Sequence, residues 1–164
     1  MFLIVFFISS LFQDAPFVPV NSSVLKKIVE SLELEPGSVL YDLGCGDGRV
    51  LKEALKEVKG IQAIGIEKNI LPFTLSKISL RKTSAKVILG NFLKTDISNA
   101  THIYLYLFPK IVNRLFFKFK EECRSGTRIV TCDFIPRDIT PDKVIDLPLS
   151  HNGLCKKLYV FILK

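Results

Sequence analysis

The sequence YDLGCGDGRV, residues 41–50, is the most informative segment of the chain. Its three glycines, Gly44, Gly46 and Gly48, follow an apolar run and precede an amphipathic one, RVLKEALKEV. Glycine adopts positive φ readily and leaves no Cβ between the backbone and a ligand. Glycines at this position are therefore typical of a strand-to-helix turn that holds a nucleotide-like ligand.

Two features limit the class of ligand that this turn can hold: the spacing of the glycines and the acidic residues around them. The spacing is G-x-G-x-G, which differs from the G-x-G-x-x-G of dinucleotide-binding turns, and no Walker-type Gly-Lys-Ser/Thr follows. Asp42 and Asp47 would repel a pyrophosphate but attract an ammonium or sulfonium group. Glu67 ends the next apolar run, where an acid can accept both hydroxyls of a ribose. An adenosine without phosphates, joined to a positively charged amino acid, describes S-adenosylmethionine.

The rest of the chain alternates short apolar segments with amphipathic ones. Asn21 and Ser22 can cap a helix whose apolar residues recur at helical spacing from Val24 to Leu32. The repeated order of strand and helix after residue 37 predicts an α/β fold, a Rossmann-like, doubly wound and mostly parallel sheet. Near the C-terminus, the pair at 152–153, Asn-Gly, separates two β-rich segments, KVIDLPL and KKLYVFIL, and predicts an antiparallel β-hairpin.

Length and composition predict one folded domain preceded by an apolar segment. The chain has 164 residues, of which 48% are hydrophobic and 24% charged, a composition unlike that of disordered proteins. We place the domain at residues 15–164 and the apolar segment at residues 1–14. The apolar run MFLIVFFISSLF is shorter than the about 20 residues that span a bilayer, and it lacks the features of a secretory signal. It is the end of a truncated membrane anchor, an interfacial anchor, or an element packed on the domain.

Charge and cysteines bear on partners and location. The net charge of +7 is compatible with nucleic acid or anionic lipid, but no run of five basic residues occurs, so a solvated surface is favoured. The four cysteines form no C-x-x-C pair and have no histidine at zinc-ligand spacing. We expect free thiols in a reducing compartment and no metal. Lys26 and Lys27 favour the cytoplasmic side of a membrane, if the chain is anchored to one.

The turn and Glu67 together resemble the cofactor site of class I S-adenosylmethionine-dependent methyltransferases. A finer resemblance is to the archaeal protein lysine methyltransferases and the lysine methyltransferases that modify the ATP synthase c subunit. It covers nearly the whole chain from residue 15. The matching segments are residues 16–19, 41–49, 65–69, 90–92, 94–98 and 125–130.

The resemblance implies a set of cofactor-binding residues and a protein lysine as acceptor. Asn91 and Phe92 are expected over the adenine, and Phe17 over the cofactor or the substrate channel. The full cofactor set is Phe17, Asp42, Gly44, Gly46, Asp47, Gly48, Glu67, Lys68, Asn91 and Phe92. One departure is that YLYLFP, at 104–109, lacks the N/D-P-P-Y signature of enzymes that methylate exocyclic base or glutamine nitrogens.

Two tyrosines are candidates for the methyl-transfer channel. Tyr104 and Tyr106 alternate along one predicted strand, so they point to one face near its carboxyl end, where ligands bind in such sheets. Ordinary core packing explains them equally well. Asp133 is another carboxylate at a strand end, to which we assign no role.

These observations favour a protein-lysine N-methyltransferase that acts as a monomer. The alternatives are a methyltransferase for RNA or a small molecule, and a catalytically inactive module that binds the cofactor. Nucleic acid is a less favoured partner, and residues 1–12 offer a route to membrane association.

Overall fold

A computed structural model describes residues 22–147 and 155–164 of the chain. The four helices described are α1 (Ser22–Leu32), α2 (Arg49–Glu57), α3 (Ile70–Ser79) and α4 (Pro109–Glu122). The seven strands described are β1 (Val39–Leu43), β2 (Gln62–Glu67), β3 (Lys86–Leu89), β4 (His102–Leu105), β5 (Arg128–Cys132), β6 (Lys143–Asp146) and β7 (Lys157–Ile162). The predicted cap Asn21, the apolar segment and the predicted Asn-Gly turn lie outside the described residues.

The strands form one sheet in the order β3-β2-β1-β4-β5-β7-β6. Strands β1 to β5 are parallel, whereas β7 runs antiparallel between β5 and β6. This confirms the predicted doubly wound sheet with an antiparallel hairpin at its end. The strand order reverses between β1 and β4, and the crevice outside the carboxyl ends at such a reversal is where open α/β sheets bind ligands.

Two hydrophobic clusters cover the two faces of the sheet. Helices α1 and α2 contact each other and pack on one face, with Ile28, Leu32 and Leu51 fully buried. Helix α4 covers the other face, where Leu115 and Phe119 are fully buried. Because both faces are covered, the central strands consist mainly of buried apolar residues, as in other parallel sheets, and Asp42 in β1 is an exception.

Among the described residues, the connection from β3 to β4 contains no helix. Side chains there bond the local backbone instead: Asn91 Oδ1 accepts the Leu93 N–H at 3.0 Å, and Asp96 Oδ1 accepts the Ser98 N–H at 2.9 Å. Such bonds compete with helix formation. The strand-then-helix order therefore holds for β1, β2 and β4 but is interrupted after β3.

Helices long and apolar enough to cross a bilayer do not occur among residues 22–147 and 155–164.

Candidate functional site

The glycine turn joins the carboxyl end of β1 to the first turn of α2. Gly44, Gly46 and Gly48 have φ values of 79°, 55° and 79°, the left-handed region that favours glycine. A Cβ on Gly48 would lie 2.5 Å from Leu80 Cδ1, and one on Gly44 would lie 3.0 Å from Leu107 Cδ2. The turn thus requires glycine both for its backbone conformation and for its packing.

Glu67 reaches this turn from the end of β2. Its Oε2 accepts the Gly46 N–H at 3.0 Å, and its Oε1 accepts the Asn69 N–H at 2.9 Å. The Gly44 N–H donates to the Ile66 carbonyl at 2.8 Å, which fastens the turn to the same strand. The structure therefore brings the predicted ribose-binding acid and the glycine turn into direct contact.

Asp42 is the buried acid of the site, with 2% of its surface exposed. It lies on β1 opposite Gly65 of β2 and Tyr104 of β4. Burial first, and then the charges of Glu67 and Asp47, hold the pKa of Asp42 well above its usual range. Three acids, Asp42, Asp47 and Glu67, thus lie close enough to interact, and a cationic ligand beside them would favour the ionised form of Asp42.

Asp47 forms an ion pair within the turn. Arg49 donates through Nε to Oδ1 at 2.9 Å and through a terminal nitrogen to Oδ2 at 2.6 Å. This pair offsets part of the acidic charge of the turn. The structure thus gives Asp47 a neighbour in the turn itself, and the cofactor-binding role of Asp47 stays a prediction.

The other predicted cofactor residues lie at different depths. Asn91 is partly buried and bonds the backbone of its own turn. Phe92 is 3% exposed and packs in the core beneath α4, so its ring stabilises the core. Lys68 is exposed at the start of α3. Phe17 lies outside the described residues, so its position over the cofactor or the substrate channel stays a prediction.

The two channel tyrosines lie on the same face of the sheet, as their alternation predicts. Tyr104 is 3% exposed, and its hydroxyl has no hydrogen-bond partner in the part of the chain that the structure describes. Burial, followed by the charge of Asp42, raises the pKa of Tyr104 well above its usual value. An unpartnered buried hydroxyl costs about 1–3 kcal/mol, and such groups in native proteins call for a functional explanation.

Tyr106 follows β4 and is held by Asp133, the carboxylate at the end of β5. The Tyr106 hydroxyl donates to Asp133 Oδ2 at 3.0 Å, and the Tyr106 ring stacks on Phe134 with centroids 6.2 Å apart. Burial and this hydrogen bond raise the pKa of Tyr106 to about 12. Tyr106 is therefore a neutral phenol at physiological pH.

Asp133 is the site residue to which the sequence assigned no role. Its φ is 58°, and its carboxylate accepts the N–H groups of Cys155, Lys156 and Lys157 at 2.8, 2.6 and 3.1 Å. Its position at the carboxyl end of a parallel strand was the signal in the sequence. Its partners could not be found in the same way, since they come from the segment leading into β7.

The cysteines differ from the sequence-based expectation. Cys132 and Cys155 form a disulfide with a Cα–Cα distance of 5.9 Å, whereas Cys45 and Cys123 are free. The prediction of four free thiols is therefore wrong for one pair. The pairing depends on β7 lying next to β5, which the spacing of 23 residues does not reveal. The cysteines thus no longer support a reducing compartment.

The described residues fit an S-adenosylmethionine group. The glycine turn lies at the carboxyl end of β1, Asp42 and Glu67 are two buried acids beside it, and the Tyr104 hydroxyl is a buried polar atom without a partner among the described residues. Tyr106 lies on the same face of the sheet as Tyr104 and donates a hydrogen bond to Asp133. The arrangement can hold a cation at one end and orient a polar acceptor at the other.

Comparison with known families and proteins gives consistent matches. The sequence model of the ANTKMT methyltransferase domain matches residues 42–143. The protein-lysine N-methyltransferase of Saccharolobus islandicus is 31% identical over 149 residues, which cover 88% of this chain and 92% of that protein. The lysine N-methyltransferase of Mus musculus that is named for the c subunit of ATP synthase is 30% identical over 131 residues, which cover 77% of this chain. The match spans about half of the mouse protein, 52% of its length.

Among solved structures, the chain is similar to an RNA methyltransferase from Salinibacter ruber in complex with S-adenosyl-L-homocysteine. The TM-score is 0.81 and the identity 28%, with 89% of this chain and 94% of the other covered. The similarity thus extends over most of both chains.

Proposed function

The chain belongs to the ANTKMT methyltransferase domain family, and on that premise we propose that it transfers a methyl group from S-adenosylmethionine to the side-chain nitrogen of a lysine in a protein. It is an S-adenosylmethionine-dependent methyltransferase. The observation that supports lysine as the acceptor is the 31% identity over 92% of a protein-lysine N-methyltransferase.

S-adenosylmethionine supplies a methyl group made electrophilic by the sulfonium to which it is attached. We propose that Asp42 and Glu67 hold the two polar ends of this cofactor. Asp42 stabilises positive charge, which lowers the cost of its own buried carboxylate. Glu67 accepts the ribose hydroxyls beside the Gly46 N–H that it already holds. The further proposed contacts are Phe17, Gly44, Asp47, Gly48, Lys68, Asn91 and Phe92.

On the acceptor side, Tyr106 and Asp133 position the amine. A lysine has an ordinary pKa of about 10.4 and must lose its proton before it attacks. Because the pKa of Tyr106 is about 12, its phenol cannot take that proton at neutral pH, and the proton goes to water. The Tyr106 oxygen still has lone pairs that orient an amine N–H. The Asp133 carboxylate stabilises the positive charge that develops on the nitrogen as the methyl group is transferred.

The proposal is tested by labelling a cell lysate with the purified protein and a cofactor carrying a tritiated methyl group. We expect the label to survive ribonuclease, to be lost to protease, and to be recovered as methyllysine after acid hydrolysis. The variant Asp42→Asn, run in parallel, measures labelling by contaminating enzymes. Label that is destroyed by ribonuclease and absent from protein would overturn lysine as the acceptor.

RNA is the second candidate acceptor. The net charge of +7 and the similarity to an RNA methyltransferase with a TM-score of 0.81 favour it. Adding purified RNA to the same assay distinguishes the two, since an RNA methyltransferase transfers label in proportion to the RNA supplied.

The N-terminal segment and the location of the protein stay proposals. Residues 1–14 lie outside the described residues, and with them the predicted route to a membrane through residues 1–12. We propose that residues 15–164 form the catalytic domain, that it works as a monomer, and that Lys26 and Lys27 place it on the cytoplasmic side.

A further inference from the structure

Helix α3 exposes its apolar residues and buries its small or polar ones, the reverse of an ordinary surface helix. Its buried residues are Pro72 and Ser76. Its exposed face carries Ile70, Leu71, Leu75 and Ile78, with relative exposures of 72, 56, 42 and 54%. The helix therefore presents a continuous apolar stripe to the surroundings.

One exposed residue of the neighbouring edge strand lies on the same side of the sheet. Helix α3 packs against β3, whose successive side chains point to opposite faces. Val87 packs in the cluster on the α3 side, so Leu89 shares the face of α3, whereas Ile88 points to the other face. The exposed side chains Ile70, Leu71, Leu75, Ile78 and Leu89 are here called the apolar patch. These are five of the ten large hydrophobic side chains that are exposed in the described chain. Such clustering marks an interaction surface, whereas scattered exposed residues need no explanation.

The apolar patch lies within the most basic part of the molecule. Between residues 68 and 95 the sequence has six basic residues and no acid, although the whole chain has 23 basic and 16 acidic residues. All six are exposed: Lys68, Lys77, Arg81, Lys82, Lys86 and Lys94. No ion pair involves Lys77, Arg81, Lys82 or Lys86 anywhere in the described residues. The segment that forms the apolar patch thus has a net charge of +6, whereas the whole chain has +7.

An apolar surface with a basic rim matches the interface of an anionic bilayer. Aliphatic side chains enter the boundary between head groups and acyl chains, while lysine and arginine remain at the level of the phosphates. A second copy of this chain fits poorly, because a two-fold contact would bring two basic rims together. Nucleic acid would pair with the basic residues but would not cover five aliphatic side chains, since single strands stack on aromatic rings.

We propose that α3 and the edge strand β3 dock the protein on an anionic lipid surface, with the apolar patch inserted and the basic rim on the head groups. This contact is independent of residues 1–12 and of the identity of the methyl acceptor. The basic rim consists of Lys77, Arg81, Lys82 and Lys86, none of which is a proposed cofactor contact.

The test is co-sedimentation of the full chain with vesicles of phosphatidylcholine alone or mixed with phosphatidylglycerol in equal parts. We expect binding to the mixed vesicles that weakens as salt is raised, because exposed charges are screened. Replacing Lys77 and Lys82 by glutamine should lower the affinity about fivefold for each charge removed. The double variant Leu71→Ser/Ile78→Ser should lower it about tenfold or more.

Matched controls come from the opposite face of the sheet. Phe117 on α4 is 71% exposed, and Lys110 and Lys120 are exposed on the same helix. The variants Phe117→Ser and Lys110→Gln/Lys120→Gln should bind vesicles as the wild type does. Thermal unfolding of each variant shows that it is folded.

Three outcomes would overturn the proposal. The first is no binding of the wild type to mixed vesicles. The second is equal binding by the variants of the apolar patch, the basic-rim variants and the controls. The third is a patch-dependent dimer in solution, or patch-dependent RNA binding, without any patch-dependent vesicle binding.

Discussion

Asp42 opposes the stability of the free protein, and we propose that it favours cofactor binding. It is almost completely buried, its pKa is raised by burial and by the charges of Glu67 and Asp47, and that pKa is held well above its usual range. Each unit of such an elevation corresponds to about 1.4 kcal/mol between the two protonation states. A buried charge of this kind is retained where a ligand needs it.

Replacing Asp42 by asparagine should therefore stabilise the free protein and weaken cofactor binding. In the wild type, the unfolded chain releases the Asp42 proton first as the pH rises. The free energy of unfolding thus falls between the ordinary pKa of aspartate and the raised pKa of Asp42, and stays low above it. At pH 8 we expect the variant to melt about 2–4 °C higher per kcal/mol gained, and to bind the cofactor at least about tenfold more weakly.

Calorimetry and thermal unfolding across pH measure both effects. The control is Asp146→Asn, since Asp146 has an 80% exposed side chain at the sheet edge. An Asp42→Asn variant that is less stable at pH 8 and binds the cofactor normally would contradict this account.

Substitutions of Asp133 and Tyr106 should lower kcat by different factors. Asp133→Asn removes the charge that stabilises the developing ammonium, so we expect kcat to fall about a hundredfold. Tyr106→Phe removes one hydrogen bond, worth about 1 kcal/mol, so a fall of about fivefold is expected. Because the pKa of Tyr106 is about 12, its loss should leave the pH dependence below pH 10 unchanged.

These rates are measured on a methyl-accepting protein at saturating cofactor. Asp138→Asn serves as the control, because Asp138 is exposed and shares the positive φ of 58° with Asp133. If Tyr106→Phe abolished activity or shifted the pH profile near neutrality, Tyr106 would be acting as a base.

At this scale the sequence predicts positions better than partners. The contact between Glu67 and the glycine turn follows from the strand-turn-helix pattern, and the shared face of Tyr104 and Tyr106 follows from their alternation. The contacts of Asp133 with Cys155, Lys156 and Lys157 depend on the placement of β7, which local pattern does not encode.

At the scale of elements, the apolar periodicity was sufficient for the parallel part of the sheet. Strands β1, β2, β4 and β5 are short, apolar and buried on both faces, so their signal is strong. Edge strand β3 exposes most of its residues, and its exposed aliphatic side chains are indistinguishable from core residues in the sequence. Nor does the sequence show that β7 inserts between β5 and β6, because hairpin strands pair in either order with their neighbours.

The junction of the turn with α2 offers a matched pair of glycine variants. Gly48→Ala places a Cβ 2.5 Å from the buried side chain of Leu80, at a φ of 79°. Gly37→Ala has a similar φ of 92° with nothing within 4 Å. Both should lose about 1 kcal/mol through backbone strain, and Gly48→Ala should lose a further 1–3 kcal/mol, roughly, through overpacking.

Urea unfolding of the two variants without cofactor measures this difference directly. From the sequence alone, only the loss of stability through backbone strain, which both variants share, can be predicted. Equal losses for Gly48→Ala and Gly37→Ala would show that Leu80 yields without cost and that the turn is not packed as described.

For the whole molecule, the disulfide between Cys132 and Cys155 ties β5 to the start of β7. A bond that closes a loop of 23 residues contributes about 3 kcal/mol by the chain-entropy estimate. Under reducing conditions the melting temperature should therefore fall by roughly 6–12 °C. Thiol titration of the unreduced, denatured protein should give two thiols, from Cys45 and Cys123.

Cys123→Ser is the control, because it removes a thiol outside the disulfide and should leave the effect of reduction unchanged. Four titratable thiols in unreduced protein would refute the pairing.

The orientation of α3 is the other property that appears only in the whole molecule. The sequence shows a net charge of +7 and six basic residues without an acid between residues 68 and 95. Only the fold shows that α3 turns its apolar residues outward beside them. Composition alone therefore favours a solvated basic surface, whereas the fold shows that the basic residues accompany an exposed apolar helix face.

The most direct test of the central claim is tandem mass spectrometry of lysate proteins labelled with a deuterated methyl group from S-adenosylmethionine. We expect the label on the Nζ atom of lysine, and less of it with Asp42→Asn than with the wild-type protein when the cofactor is subsaturating. A label found only on nucleosides, or on protein side chains other than lysine, would contradict it.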